Sequence, residues 1–273
     1  MARVWFVTGS SRGVGRVLVE KVLESGDIVV ATARNPSQLD DLVSKYGSDK
    51  ILATALDVAD FDQANKAVKE AIDKFGRIDV AVNNAGYANM ASIEDADIKS
   101  FREQVDVNLF GVVNVTKAVV PIMRQQKSGH IIQVSSIGGR VGSPGAAAYQ
   151  SAKWAVGGFS TVLAQEVAPF GIKVTVAEPG GISTDWANIA TENAKISEPY
   201  QQTVGDMIHV RIKGHSSWTP ASEIARAIIH LSNVEDPPLR IVLGKDAFEY
   251  AGIAAKALAD SDAKWANVSN LDF

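Results

Sequence analysis

The chain has 273 residues, of which 46% are hydrophobic and 21% are charged, and its formal net charge is −4 at pH 7. These values predict a folded domain with a sizeable core, and they argue against bulk binding to nucleic acid or to an anionic membrane surface. Cysteine is absent, which excludes disulfides, thiol catalysis and a Cys-ligated metal.

The sequence has no pattern typical of a signal peptide or of a membrane-spanning helix. The first ten residues, MARVWFVTGS, lack the pattern of a signal peptide. No stretch approaches about 18 consecutive apolar residues, the length a membrane-spanning helix requires. The sequence therefore predicts a cytoplasmic protein without a membrane span.

Short β-branched runs alternate with longer amphipathic stretches from the N-terminus to Pro179. The stretches between the runs have apolar residues at helical spacing, and several end in glycine. This alternation predicts one α/β domain over residues 1–273, a doubly wound Rossmann-type parallel sheet with helices on both faces. The predicted strands are 4–8, 28–33, 51–58, 78–85, 130–136 and 172–179.

The alternation stops after Pro179. Residues 183–219 mix Gly, Ser, Thr and Asn with scattered apolar side chains, and a helix is predicted at about 221–232. Long excursions of this kind in compact domains often form lids or binding loops. We therefore expect residues 183–219, the lid segment, to cover a substrate.

A glycine-rich turn, TGSSRGVG at 8–15, follows the first strand and opens the first predicted helix. Glycines in such a turn let the backbone approach a pyrophosphate, which then lies at the positive helix N-terminus. The spacing G-x-x-x-G-x-G differs from the common dinucleotide fingerprint, so a tight turn that binds nothing is the alternative. The candidate cofactor residues here are Gly9, Ser11, Arg12, Gly13, Val14 and Gly15.

The end of the second strand reads Ala33-Arg34. Proteins that bind NAD usually place Asp or Glu there, about 20 residues past the glycines, to hold the ribose hydroxyls. A guanidinium instead binds a 2′-phosphate bidentately, and Arg12 can reach the same place. A solvated surface charge is the alternative for each arginine, but together they favour NADP(H).

Tyr149 and Lys153 share one face of a predicted helix because they are four residues apart. Free tyrosine has a pKa near ~10, and a neighbouring ammonium favours the phenolate. The pair is thus a candidate proton donor to a carbonyl oxygen. Tyr-x-x-x-Lys also arises by chance, so its weight depends on Ser136 at the end of a strand and on Asn108 in a helical stretch.

Taken in order, these motifs resemble the short-chain dehydrogenase/reductase family over roughly the first 185 residues: TGSSRGVG, Asp57-Val58, NNAG, Asn108, Ser136 thirteen residues before Tyr149, YQSAK and PGGIST. The resemblance implies that Tyr149 is the catalytic acid and that Lys153 lowers its pKa while binding the nicotinamide ribose. It implies that Ser136 polarises the substrate carbonyl and that Asn108 anchors a water linked to Lys153. It also implies cofactor contacts from Asp57, Val58, Asn84, Ala85, Gly86, Pro179, Gly180, Ile182 and Thr184.

The C-terminal part lacks the glycine-rich strand of many ketoacyl-reducing relatives and is more similar to the retinol, hydroxysteroid and general carbonyl reductase branches. The resemblance implies a homodimer or homotetramer, with 97–127 and 149–169 as contact helices. No metal site is expected, since His130, His209, His215 and His230 lack ligand spacing.

These observations predict an NADPH-dependent oxidoreductase that reduces a ketone or aldehyde to an alcohol, or catalyses the reverse reaction. A non-catalytic NADP(H)-sensing protein is the alternative, but it would need none of Ser136, Tyr149 and Lys153. A methyltransferase that uses S-adenosylmethionine is disfavoured because Ala33 stands where such a site needs an acid.

Overall fold

The strands follow the predicted alternation. The structure, a computed structural model, describes residues 2–192, 194–214 and 218–272. His215, one of the four histidines that were not expected to bind a metal, lies outside these ranges. The strands are β1 (Val4–Val7), β2 (Ile28–Ala33), β3 (Ile51–Ala55), β4 (Val80–Asn83), β5 (Gly129–Val134), β6 (Ile172–Pro179), β7 (Ile182–Ser183), β8 (Thr219–Pro220) and β9 (Arg240–Leu243).

Helices connect the strands and cover both faces of the sheet. They are α1 (Gly13–Glu24), α2 (Asp40–Tyr46), α3 (Phe61–Phe75), α4 (Ile98–Val105), α5 (Gly111–Gln126), α6 (Ala147–Val167), α7 (Trp186–Thr191), α8 (Asp206–Gly214), α9 (Ala221–Ser232), α10 (Lys245–Lys264) and α11 (Ala266–Ser269).

The central sheet of the described chain has seven parallel strands in the order β3-β2-β1-β4-β5-β6-β9. On the interior strand β1, Trp5 and Phe6 are fully buried and enter opposite cores, because successive side chains of a strand point to opposite faces. One core contains Leu18 of α1 and Ile228 of α9. The other contains residues of α3, α5 and α6, including Leu163. The prediction of a doubly wound parallel sheet is confirmed.

Strand β9 is absent from the sequence prediction. It pairs in parallel with β6 in the register Val176 to Arg240 and Pro179 to Leu243. The strand has only four residues, RIVL, of which three are apolar, and it lies shortly after two prolines, so its local pattern is too short to distinguish from a turn.

The lid segment is more regular than its sequence indicates. Strands β7 and β8 pair at its base, with Ile182 opposite Thr219, and helices α7 and α8 lie between them. Residues 193 and 215–217 of the segment lie outside the described residues.

One run in the described part of the chain, Ile98–Gln126, is long and apolar enough to cross a membrane. Val115, Val119 and Met123 of this run are fully buried in the core beneath the sheet. Core packing thus accounts for its apolar composition. Among the described residues, no group of three or more His, Asp or Glu side chains could hold a metal ion.

Candidate active site

A cleft of about 1600 Å³ opens at the carboxyl ends of the strands. The strand order reverses between β1 and β4, and ligands of open α/β sheets bind at this switch point. Every catalytic and cofactor residue predicted from the sequence lines the cleft, except Gly15.

Gly15 is buried behind the turn instead of facing the cleft. A Cβ on Gly15 would collide with the carbonyl oxygen of Gly9 and lie 2.5 Å from Asn84 Nδ2. Gly9 itself has φ +67°, and a Cβ there would lie 2.8 Å from Ala85 Cα. Gly15 therefore lets the turn fold against itself and is not a wall residue.

The start of α1 presents free backbone donors to the cleft. Its first hydrogen bond runs from Arg16 N to Arg12 O at 3.3 Å, and no side chain caps the helix. The amides of the preceding turn therefore point out of the helix end, where they and the helix dipole favour an anion. Gly13 has φ +56°, and a Cβ there would meet only Thr184 Cγ2 at 3.8 Å. This open cradle fits a diphosphate group.

Arg12 and Arg34 are both exposed at the rim of the cleft. Over residues 2–192, 194–214 and 218–272, neither guanidinium takes part in an ion pair. Arg16 of the same helix differs, because its guanidinium binds Glu20 and Asp41. Two uncompensated guanidinium groups beside the first turn fit a further phosphate.

Thr8 and Asn84 join the ends of β1 and β4. Thr8 Oγ1 accepts hydrogen bonds of 3.0 Å from the backbone N–H groups of Asn84 and Ala85. Asn84 Nδ2 donates to the carbonyl oxygens of Thr8 and Gly9 at 2.9 and 3.2 Å. Thr8 is the first residue of the glycine-rich turn at 8–15, but its role in joining β1 to β4 was not predicted from the sequence.

Lys153 is buried in the wall of the cleft, on the same helix as Tyr149. Its Nζ donates a hydrogen bond of 2.8 Å to Val134 O and lies 5.6 Å from the centre of the Tyr149 ring. Burial lowers the pKa of Lys153 from 10.5 to about 8. The Tyr149 ring in turn packs 5.2 Å from the ring of Trp186 in the lid segment.

Ser136 lies in a short turn that packs directly on α6. Its Oγ accepts a hydrogen bond of 3.0 Å from Gly138 N. The neighbouring Ser135 Oγ donates to Lys153 O at 3.3 Å, and a Cβ on Gly139 would lie 2.9 Å from the same oxygen. The serine turn is thus held against the helix that carries Tyr149 and Lys153.

Asn108 lies in a π-helical turn, Asp106–Phe110, between α4 and α5, and such turns frequently mark functional sites. Its Nδ2 donates to Tyr87 O and Gln104 O, both at 2.8 Å. Its Oδ1 is buried without a hydrogen-bond partner among the described residues. A Cβ on Gly86 would lie 2.6 Å from this oxygen and 3.6 Å from Lys153 Nζ, so the free acceptor and the ammonium border the same point.

Asp246, on the first turn of α10, is a site residue that the sequence analysis did not single out. Its carboxylate accepts a hydrogen bond of 2.8 Å from Gly181 N. A Cβ on Gly180 would collide with that carboxylate. Asp246 therefore fixes the backbone that follows β6, and only the position of the short strand β9 brings it there.

Comparison with known proteins agrees with this geometry. The short chain dehydrogenase family model matches residues 3–195. Oxidoreductase BOA17 of Botryotinia fuckeliana is 57% identical over 270 residues, which is 98% of each chain. The 3-ketodihydrosphingosine reductase of Bacteroides thetaiotaomicron is 34% identical over 248 residues, covering 89% of this chain and 88% of that protein.

The solved structure of a short-chain dehydrogenase from Streptomyces avermitilis has a TM-score of 0.90 and 34% identity, and the match covers 100% of both chains. The fold and the cleft are typical of an oxidoreductase that uses a dinucleotide cofactor. The chain belongs to the short-chain dehydrogenase family, whose members use NAD or NADP, and the cradle at α1 fits such a group.

Proposed function

We propose that this chain is an NADPH-dependent reductase that converts a ketone or aldehyde to an alcohol, or catalyses the reverse oxidation. The observation that carries this proposal is the convergence of Ser136, Tyr149 and the buried Lys153 on one cleft with the glycine turn. A protein that only binds the nucleotide would need the turn but not these three side chains.

Tyr149 is the proton donor in this proposal. When bound, a reduced nicotinamide would supply the hydride for the carbonyl carbon, and negative charge would then develop on the carbonyl oxygen. Tyr149 protonates that oxygen, while Ser136 donates a hydrogen bond to it. Donors aimed at a charge that develops only in the transition state accelerate the reaction selectively.

Lys153 sets the acidity of Tyr149 in the proposed reaction. Its ammonium, with a pKa of about 8, is mostly charged near neutral pH, and a nearby positive charge favours the phenolate. The unpaired Oδ1 of Asn108 supplies the acceptor that a water bridging to Lys153 would require. Asn108 is therefore proposed to anchor that water.

The preference for NADPH over NADH rests on charge. Arg12 and Arg34 face the rim without ionic partners in the described part of the chain, and Ala33 stands where an acid would repel a 2′-phosphate. Asp57 and Val58 are proposed to border the adenine end of the cofactor, and Asn84, Ala85 and Gly86 to form part of the cofactor wall. Pro179, Gly180 and Thr184 are proposed to border the nicotinamide end.

The lid segment is proposed to close over the substrate. Trp186 packs on Tyr149, and Ala190 O accepts a 2.9 Å hydrogen bond from Met90 N. Ser197 donates to Asp95 Oδ2 at 3.1 Å through both its backbone and its hydroxyl. These contacts anchor the segment near the site.

Assembly through the helices 97–127 and 149–169 is also proposed, because Phe110 and Trp154 expose 51% and 53% of their surface there. Light scattering is expected to show a dimer or tetramer, and a monomer at working concentration would contradict this. A cytoplasmic location stays a prediction.

The proposed activity is tested by following the absorbance of the reduced nicotinamide with NADPH and NADH separately, against pools of ketones, aldehydes, quinones, steroids and retinoids. NADPH consumption with at least one pool is expected. Tight NADPH binding with no turnover in any pool would instead favour the sensing protein.

A further inference from the structure

The cleft is larger than a typical pocket for a single ligand. Its volume is about 1600 Å³, whereas a pocket for one small ligand or cofactor occupies roughly 300–1,000 Å³. The space beyond the proposed nicotinamide end is bounded by the lid segment and by α10. This part of the same cleft, the substrate chamber, includes Tyr149 and is where a substrate would lie.

One stripe of α10 forms a wall of that chamber. Asp246, Glu249, Tyr250, Ile253 and Ala254 line the cleft, and their spacing places them along a single helix face. On the adjacent face, Ala247 and Ala251 are buried against the rest of the protein. The stripe is therefore held in place by the body of the domain.

The chamber is apolar where the substrate body would pass. Tyr250 and Ile253 expose 55% and 60% of their surface into an open cleft, and Val210 of α8 exposes 65%. Trp186 and Met207 also line this cleft, and they pack with Tyr149 against the same buried cluster. Contiguous exposed apolar side chains of this kind mark a binding surface.

Charge at the same end of the cleft disfavours an anionic substrate. Among the residues that the structure describes, four acids, Asp185, Glu223, Asp246 and Glu249, and two bases, Lys153 and Lys245, line it there. A carboxylate or phosphate on the substrate would be repelled by this excess of negative charge. The arginines that favour an anion lie at the other end, beside the glycine turn.

We infer that the substrate is an uncharged ketone or aldehyde with an extended apolar body, and that Tyr250 and Ile253 of α10 determine the specificity for that body. This inference rests on the proposed function. It adds to that proposal the class of substrate and the element that selects it.

The first test uses a homologous series of straight-chain methyl ketones with NADPH, and keto acids of matching length that end in a carboxylate. For the wild-type protein, kcat/KM is expected to rise by up to about 4-fold for each added methylene that becomes buried. Each keto acid is expected to be a poorer substrate than the ketone of the same length. A series that is flat in chain length, or faster with keto acids, would overturn the inference while leaving the reductase standing.

The second test locates the wall. Tyr250→Ser and Ile253→Ser are each expected to lower kcat/KM for the longest ketone by about 10-fold and to reduce the dependence on chain length. The matched control is Phe248→Ser, which changes a side chain on the same helix that is 75% exposed and does not line the cleft. Its chain-length dependence should equal that of the wild type. Equal dependence in all four proteins would overturn the role of α10.

A binding measurement separates this inference from the proposed chemistry. Trp186 and Trp218 line the cleft, so their fluorescence reports the binding of the matching secondary alcohols without turnover. Tighter binding with chain length in the wild type, weakened in Tyr250→Ser and not in Phe248→Ser, would support the wall even if no carbonyl were reduced. Binding independent of chain length would overturn it.

Discussion

Replacing Tyr149 with phenylalanine keeps the ring that packs 5.2 Å from Trp186 and removes only the hydroxyl that the proposed reaction uses. Because acid–base catalysis contributes roughly 100- to 10,000-fold, turnover with NADPH should fall by that factor. Affinity for NADPH, measured by fluorescence titration, should change little.

The matched control for this substitution is Tyr200→Phe. The Tyr200 hydroxyl donates a 2.7 Å hydrogen bond to Glu94 outside the cleft, so its loss should leave kcat unchanged. Near-normal turnover in Tyr149→Phe would remove Tyr149 as the acid.

Arg34→Ala tests the proposed phosphate contact. A hydrogen bond to a charged group contributes about 1.5–3 kcal/mol, so the dissociation constant for NADPH should rise about 10- to 100-fold, and that for NADH should change much less. Calorimetric titration with both nucleotides measures the ratio. Arg16→Ala, whose side chain is already held by Glu20 and Asp41, should leave the ratio unchanged, and an unchanged ratio in Arg34→Ala would contradict the assignment.

At the residue scale, the sequence predicts which side chains meet but not how they bond. Ser136 and Tyr149 reach one cleft because both follow the carboxyl end of β5, Ser136 directly and Tyr149 at the start of α6. Gly15 shows the limit, because its requirement for glycine arises from a close approach to Gly9 O. Such contacts depend on the backbone path, which a motif does not specify.

A buried ionic cluster connects four elements beside the site. Glu178, at the end of β6, is completely buried. Its carboxylate accepts hydrogen bonds from Arg140 Nε at 2.6 Å and from Arg240 Nε at 3.1 Å. Arg240 also donates to Gly139 O at 3.2 Å in the serine turn, and its guanidinium packs over Gly157 of α6. The cluster therefore joins β6, β9, α6 and the turn that carries Ser136.

Glu178→Gln should lower the free energy of unfolding by about 1.5–3 kcal/mol, because it weakens charge-assisted hydrogen bonds to two arginines whose side chains are 31% and 32% exposed. Urea denaturation measures the change. The matched control is Glu103→Gln, which removes the exposed i,i+4 partner of Lys99 and should cost little, as exposed pairs do. Equal losses in the two variants would contradict the special role of the cluster.

Three of the elements that were not predicted from the sequence share one physical feature. Strand β9 and helices α7 and α8 gain their order from partners distant in sequence, as in the pairing of β9 with β6. Elements with long periodic patterns are easier to predict. The sequence predicts a helix at about 221–232, and α9 is found as Ala221–Ser232. Local periodicity is informative for a long helix and weak for a short edge strand.

Across the whole molecule, the two edges of the sheet are chemically different. The carboxyl edge carries the cleft, whereas the amino edge carries a polar network in which Asp79 accepts from Val4 N at 2.8 Å and Arg3 binds Asp27. The helices that cover both faces of the sheet can be predicted from the sequence, because strands made of continuous apolar runs must be covered on both sides. The substrate chamber cannot be predicted in this way. Its walls are side chains of the lid segment and of α10, and no sequence pattern indicates that these two segments come together.

His130, near the start of β5 at the amino edge, gives the folded state a dependence on pH. Its Nε2 lies 2.9 Å from Thr175 Oγ1, whose hydroxyl donates to Pro238 O at 3.0 Å, so Nε2–H is the donor to Thr175. In the described chain, the buried Nδ1 has no hydrogen-bond partner. Burial, and then the positive charges of Lys173 and Arg3, lower the pKa of His130 from 6.5 to about 4.

The sign of the effect follows from where the proton binds first. The unfolded chain takes up a proton at this histidine near pH 6.5 and the folded chain only near pH 4, so folding is weakened as the pH falls through this interval. The difference corresponds to about 3 kcal/mol, lost below pH 6.5 and nearly complete below about 4. Urea denaturation over this interval should therefore show a steeper loss of stability in the wild type than in His130→Gln. Carboxylates contribute equally to both proteins, and His230→Gln, at an exposed position, should keep the wild-type slope. Identical slopes in the wild type and His130→Gln would show that this histidine does not control acid stability.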